Sequence, residues 1–282
     1  LVPFPVESAL SGVMKHAERL WYRRTFAVPK DWAGQRVLLH FGAVDWQATV
    51  WVNGKKLGEH KGGYDGFTFD ITDAADPKKE DQELIVGVWD PTNAGTQPRG
   101  KQVTKPGGIF YTPTTGIWQT VWLEPVPQDA IDGLKIIPSV DDNKVRVELR
   151  TRGVTDGLTA AVTARDGDKE AASADGKADQ PFVLSLDKPK LWSPEKPFLY
   201  DLHVELRKDG KKADAVDGYF GLRKVEIGQP NDKGVPRILV NGAPVFLRGP
   251  LDQGFWPDGI YTAPTDEALK YDIEMTKKLG FN

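Results

Sequence analysis

The chain has no cysteine, only four histidines and two methionines, and no apolar run long enough to span a bilayer as a helix. The first absence excludes disulfides, thiolate nucleophiles, iron–sulfur clusters and cysteine-bound zinc. His16, His40, His60 and His203 show neither His-x-His nor His-x3-His spacing, so no metal site and no cofactor are expected. Charge of one sign is also lacking: Lys plus Arg number 37 and Asp plus Glu 40, leaving −3 and no global basic field to hold nucleic acid. No membrane partner is expected. Leu1 to Pro5 contains two prolines and no charged segment leading into an apolar one, so no signal peptide is visible. The cysteine-free composition is nonetheless compatible with a periplasmic or secreted location.

What is abundant is glycine (29), proline (21) and tryptophan (9) in 282 residues, a turn-rich composition for a length that predicts two or three structural units. From Leu20 to about Val126 the chain reads as short strands of period 2. Val37, Leu39 and Phe41 alternate with Leu38 and His40, Val50 and Val52 flank Trp51, and Leu84, Val86 and Val88 alternate with Ile85 and Gly87. Asn53-Gly54 between two such strands is the pair that a type I′ hairpin requires. A sandwich or jelly roll over residues 1–127 is predicted. After Pro125-Val126-Pro127 a second β pattern begins at Val145, Val147 and Leu149 and runs to Val225-Glu226-Ile227, predicting an immunoglobulin-like sandwich over residues 128–228.

Residues 229–282 change character. Ile238–Val240, Asn241-Gly242 and Val245–Leu247 predict a second Asn-Gly hairpin, followed by an irregular loop and the only clear helix. Thr265 is placed to cap that helix, Asp266 and Glu267 to occupy its first turn, and Lys277, Lys278 and Gly280 to end it. Leu269, Ile273, Thr276 and Leu279 fall on one face. A strand, a loop and one helix cannot cover both faces of a parallel sheet, so this stretch reads as the first βα unit of a larger α/β domain. With no initiator Met, the chain reads as a piece of a longer protein.

Several strings together resemble glycoside hydrolase family 2, the group of β-galactosidases, β-glucuronidases and β-mannosidases. They are Leu20-Trp21-Tyr22-Arg23-Arg24-Thr25-Phe26, Phe41-Gly42-Ala43-Val44-Asp45, Val50-Trp51-Val52-Asn53-Gly54, Gly62-Gly63-Tyr64, Phe69-Asp70-Ile71-Thr72 and Gly116-Ile117-Trp118-Gln119-Thr120-Val121-Trp122-Leu123. Later come Leu191-Trp192-Ser193-Pro194-Glu195, Pro197-Phe198-Leu199-Tyr200, Tyr219-Phe220-Gly221-Leu222-Arg223, Val245-Phe246-Leu247-Arg248-Gly249 and Leu279-Gly280-Phe281-Asn282. The resemblance is collinear from about Leu20 to Asn282. It implies a mostly β fold: a jelly-roll sugar-binding sandwich, an immunoglobulin-like β-sandwich, then a truncated first βα unit of a TIM barrel. It also implies a parent enzyme that is a retaining β-glycosidase acting on an oligosaccharide or glycoside. Such an enzyme needs two carboxyl groups about 5–5.5 Å apart. The resemblance places both of the family's catalytic glutamates after Asn282, so the chain itself is expected to be inactive.

The resemblance implies that loops of the jelly roll and the first barrel loop reach toward the sugar, which makes residues at these strand ends candidates for substrate binding. Asp90 and Asn93, in Asp90-Pro91-Thr92-Asn93, either bracket adjacent sugar hydroxyls or simply turn the chain after Trp89. Arg248, Asp252, Gln253 and Trp256 fall where barrel loops build active sites, with Trp256 suited either to stacking on a sugar face or to plugging the loop. Trp51, Trp89 and Trp122 lie inside strand patterns and read as packing residues, whereas Trp46 and Trp118 lie nearer loops. Gly95 to Lys101 mimics a phosphate-binding loop, but Gln102 stands where a hydroxyl is needed and no helix can follow. The alternative to an enzyme is a non-catalytic carbohydrate-binding or adhesion module of two sandwiches.

Overall fold

Period-2 alternation in the first third of the chain becomes nine strands: β1 (Arg19–Phe26), β2 (Arg36–Phe41), β3 (Val44–Asp45), β4 (Gln47–Val52), β5 (Lys55–Lys61), β6 (Phe67–Asp70), β7 (Gln82–Trp89), β8 (Gly116–Ile117) and β9 (Val121–Val126). The structure is a computed structural model that describes residues 1–76, 78–153, 156–229 and 234–282. It divides into two units, one of Leu1–Pro125 with Pro250–Leu279, the other of Val126–Gly249 with Gly280–Asn282. The stretch 229–282 is thus shared between them, and residues 230–233, just past the expected 228/229 boundary, lie outside the described residues, as does residue 77 in the acidic run 76–83.

In the first unit a four-stranded sheet, β1-β7-β4-β5, accompanies a three-stranded one, β6-β2-β9, and a short pair, β3-β8. The inward positions of both larger sheets form one core of Val37, Leu39, Phe41, Val50, Val52, Val86 and Val88 with Ile71 and Ile117. Burial of each such side chain contributes about 1.5–3 kcal/mol relative to leaving it exposed. Asn53 and Gly54 have φ of 50° and 78°, the left-handed pair that joins β4 to β5. Asn53 also knits the unit together: its amide donates to the Ala74 carbonyl (2.9 Å) and Gln82 Oε1 (2.6 Å), and its oxygen accepts from Glu83 N (3.0 Å).

The three tryptophans read as packing residues do not fill this core. Because Val50 and Val52 point inward, period 2 sends Trp51 to the outer face of the four-stranded sheet, and Trp89 follows Val88 outward in the same way. Trp122 is likewise 45% exposed and stacks on His40 with ring centres 4.7 Å apart.

The second unit begins with β10 (Ala130–Ser139), β11 (Lys144–Arg152), β12 (Leu158–Asp166), β13 (Lys169–Lys177), β14 (Phe182–Ser185), β15 (Tyr200–Lys208) and β16 (Lys211–Phe220). They pair as β10-β11-β14 and β13-β12-β15-β16, and the two sheets enclose Val145, Val147, Val162, Leu184, Leu202, Val204 and Leu206. Asp209-Gly210, with φ of 50° and 75°, makes the β15–β16 turn. A small sheet follows, of β17 (Val225–Gly228), β18 (Arg237–Val240) and β19 (Ala243–Pro244), turning through Asn241-Gly242 at φ of 53° and 79°.

The predicted return strand at Val245–Leu247 is shorter and earlier than expected. Pro244 has no N–H to extend the ladder, and beyond it only the Val245 N–H reaches back to the Ile238 carbonyl (3.0 Å). Phe246 and Leu247 are exposed. The predicted helix, α1 (Asp266–Lys278), forms as its caps direct: Thr265 Oγ1 accepts from Ala268 N, and Gly280 takes φ of 89°. Leu269, Ile273 and Leu279 on its apolar side stay largely exposed.

Candidate functional site

Polar side chains that fold into the interior of the first unit collect in one place. β3 ends at Asp45, β7 runs out at Asp90, and the N-terminal segment brings Glu7 and His16 alongside. Glu7, with a side chain 4% exposed, is hydrogen-bonded to His16 Nδ1 (2.8 Å) and accepts the Thr115 N–H (3.0 Å). Asp90 is buried; one of its oxygens accepts Thr92 N (2.7 Å) and the other accepts Thr115 Oγ1 (3.3 Å). Burial pushes its acidity toward the protonated form, opposed by those two hydrogen bonds and reinforced by Glu7.

Asp45 is the most perturbed acid. It is 7% exposed, and its Oδ1 has no hydrogen-bond partner among the described residues. Desolvation first, then the negative charges of Asp90 and Glu7, raise its pKa to about 8 from an ordinary value of 3.8. Gly63 faces it so closely that a Cβ there would run into the carboxyl group. An acid held in this form near neutral pH is both a donor and an acceptor, which suits it to a neutral hydroxyl rather than to a cation.

Aromatic rings adjoin these acids. Trp118 Nε1 donates to the Gly63 carbonyl (2.7 Å), and its ring lies 6.1 Å from Tyr64 and 5.4 Å from Tyr261. Tyr64 and Tyr261 are hydrogen-bonded to each other and feel the charge of Asp45; burial, the leading cause, raises both phenols. Gln102 is bonded to the Tyr261 hydroxyl, which leaves Gln102 Oε1 buried without a partner among the described residues. Phe255 stacks on Tyr111 at 4.4 Å and meets Tyr261 edge-on at 5.7 Å. Tyr22, whose hydroxyl accepts Ile117 N, is pushed up to about 12 by burial.

The loop 250–264 is anchored to this unit. Leu10 N donates to the Asp258 carbonyl (3.2 Å), and Thr262 Oγ1 donates to the Pro3 carbonyl (3.0 Å). Within it Trp256 is half-buried and exchanges backbone hydrogen bonds with Ile260 at 2.7 and 3.1 Å. Asp252 accepts Gly254 N (2.7 Å) in an exposed turn, and Gln253 is exposed. Asn93 is exposed and accepts Thr104 N (2.9 Å), closing the 93–104 loop. Arg248 belongs to the second unit, where its backbone bonds Asn282 in both directions.

Of the six candidates read from the sequence, only Asp90 therefore joins the buried acid cluster. Asp45, Glu7, His16, Tyr64, Gln102 and Tyr261 were missed as site residues. The one local signal was Asp45 itself, an acid directly after Ala43-Val44 in a buried strand, where burial of a charge is costly unless it serves a purpose.

Comparison with known proteins agrees with this architecture. The model of the sugar binding domain of glycosyl hydrolases family 2 matches residues 1–111, and the glycosyl hydrolases family 2 model matches residues 130–223. A β-galactosidase of Thermoanaerobacter pseudethanolicus is 29% identical over 90% of this chain, and a β-glucuronidase of Paenibacillus borealis is 29% identical over 88%. The chain spans only 35% and 43% of the lengths of these two relatives. The crystal structure of Ruminococcus gnavus β-glucuronidase, 22% identical, superposes over 100% of this chain and 48% of its own with a TM-score of 0.82. Two successive models of one family, in the order and at the positions of the two β-sandwiches, lead to one conclusion: the chain belongs to glycosyl hydrolase family 2.

Proposed function

We propose that this chain supplies the sugar-binding portion of a retaining β-glycosidase that hydrolyses O-glycosyl bonds of oligosaccharides or simpler glycosides. The observation that carries this reading is the buried acid Asp45, with an unpartnered oxygen, set beside the aromatic surfaces of Trp118, Tyr64 and Tyr261. A pyranose presents the matching chemistry, adjacent hydroxyls on its edge and C–H groups on its face. Asp45 and Asp90 are assigned to hydroxyls and Trp118 to the face, while Gln253 and Trp256, on the loop that follows, are proposed as further ligands.

The three clustered acids are suited to binding rather than to hydrolysis. Attack on an anomeric carbon needs an ionised carboxylate with a free oxygen. Asp45 is held protonated, Asp90 has both oxygens engaged by Thr92 and Thr115, and Glu7 is engaged by His16 and Thr115. We propose that the catalytic carboxylates belong to a (β/α)8 barrel of which residues 229–282 form the opening, α1 being its first helix.

The test is a calorimetric titration of the 282-residue chain with β-galactosides and β-glucuronides, together with turnover of their nitrophenyl derivatives. Binding without turnover is expected, with Asp45→Ala and Trp118→Ala each weakening it about tenfold. Absence of saccharide binding, or binding indifferent to both substitutions, would overturn the assignment. Turnover by the isolated chain would overturn its lack of catalytic groups.

A further inference from the structure

The outward tryptophans form a second, separate surface. On the face of the four-stranded sheet opposite the core, strand pairing sets three rows of side chains: Arg19, Trp89, Gln47 and Lys61; then Trp21, Gly87, Thr49 and Glu59; then Arg23, Ile85, Trp51 and Lys56. Three tryptophans thus surround Gly87. Its missing side chain leaves a floor over which the Trp21 ring lies, since a Cβ there would come within 2.9 Å of that ring. Trp21 and Trp51 have ring centres 5.5 Å apart, inclined at 36°, and Trp21 is 69% exposed. The depression holds about 330 Å³ and is lined by Trp21, Trp51 and Trp89 with Arg19, Gln47 and Thr49 between them.

Exposing this much indole is unfavourable unless something covers it, and an apolar surface rimmed with polar groups marks a binding site. The polar residues identify the occupant. Flat apolar rings interleaved with an amide, a hydroxyl and a guanidinium offer stacking together with hydrogen bonds, the two chemistries that a pyranose face and its hydroxyl edge present. The charges narrow it further. Glu59 is taken by Lys56 (2.7 Å) and Glu83, at the end of the same face, by Arg23 (2.7 Å). Arg19, whose guanidinium sits 5.3 Å from the Trp89 ring centre, makes no salt bridge among the described residues, while Lys61, at the opposite end of its row, feels the charge of Glu59, which Lys56 already engages. The face therefore carries an excess of two positive charges on a chain whose net charge is −3.

We infer that this face is a second glycan-binding site, distinct from the Asp45 cluster, that holds a carboxylate-bearing polysaccharide with pyranose rings on Trp21 and Trp51 and a uronate against Arg19. It would hold the protein on a polymeric substrate irrespective of which bond the parent enzyme cleaves.

The experiment is affinity electrophoresis of the 282-residue chain in gels containing polygalacturonate or, separately, a neutral β-glucan, with calorimetry on the corresponding oligosaccharides. Polygalacturonate should retard the chain. Trp21→Ala should reduce its affinity tenfold or more, as should Gly87→Ser, which fills the floor with every ring in place. Arg19→Gln should lower affinity for the acidic polymer three- to tenfold without changing that for the neutral one. Arg146→Gln, which removes a cation paired to Glu148 on the second unit, should leave retardation unchanged. Near-UV circular dichroism verifies that the variants fold; Trp21 points outward, so its removal leaves the core intact. Absence of retardation, equal retardation by acidic and neutral polymers, or full retardation of both Trp21→Ala and Gly87→Ser would each overturn the inference.

Discussion

Replacing Asp45 by Asn removes the most perturbed titration in the first unit while preserving size and shape, and its effect on stability is calculable. The carboxyl has a pKa of about 8 when folded and 3.8 in an unperturbed chain. Between those values the folded state binds a proton that the unfolded state has released, so stability falls as pH rises through this window. The slope is about 1.4 kcal/mol per pH unit, and over the window it accumulates to about 6 kcal/mol. Below pH 4 the acid is neutral in both states and imposes no cost. Above pH 8 it is ionised in both, and the full cost is present. Asn cannot ionise, so the stability of Asp45→Asn relative to the native chain should be near zero at pH 4 and grow steadily to pH 8. Denaturant unfolding of the first unit at half-unit pH intervals measures that difference, and the carbon-13 shift of the Asp45 carboxyl reports its titration directly. A difference that does not vary with pH, or a carboxyl that titrates near 4, would refute the burial argument.

Three further substitutions test other parts of the structure. Gly63→Ala should destabilise the first unit by about 2–4 kcal/mol because its Cβ meets the Asp45 carboxyl group; an unchanged unfolding temperature would show that this contact relaxes freely. Asn53→Gly keeps the left-handed turn but deletes three side-chain hydrogen bonds, so a loss of about 2–3 kcal/mol in chemical denaturation is expected, against almost none if the turn geometry alone mattered. Leu206→Ala, at a position with 0% exposure in the second core, should cost about 2–5 kcal/mol, read from the unfolding transition of that unit.

The exposed apolar side of α1 illustrates how local and tertiary signals separate. Thr265, Asp266, Glu267, Lys277 and Gly280 are sufficient to start, charge and stop a helix, since capping and dipole effects act within one turn. The same pattern predicts that Leu269 and Ile273 face a partner, yet periodicity names a face without naming what lies against it. Trp51 and Trp89 show the converse. Their neighbours Val50, Val52 and Val88 already claim the inward positions, so alternation pointed these indoles outward even though residue type suggested packing.

The sequence by itself determined the elements: which residues alternate, where Asn-Gly and Asp-Gly reverse the chain, where α1 begins and ends, and which family the strings resemble. All of these are encoded within a few residues of one another. Only the tertiary structure decided the sites. Glu7, Asp45, Asp90, Thr115 and Tyr261 are far apart along the chain and meet because two sheets close on one core. The shift of Asp45 arises from lost water and from charges that no local pattern places beside it. The tryptophan face likewise exists only because β7 inserts between β1 and β4, setting Gly87 among indoles drawn from three separate strands.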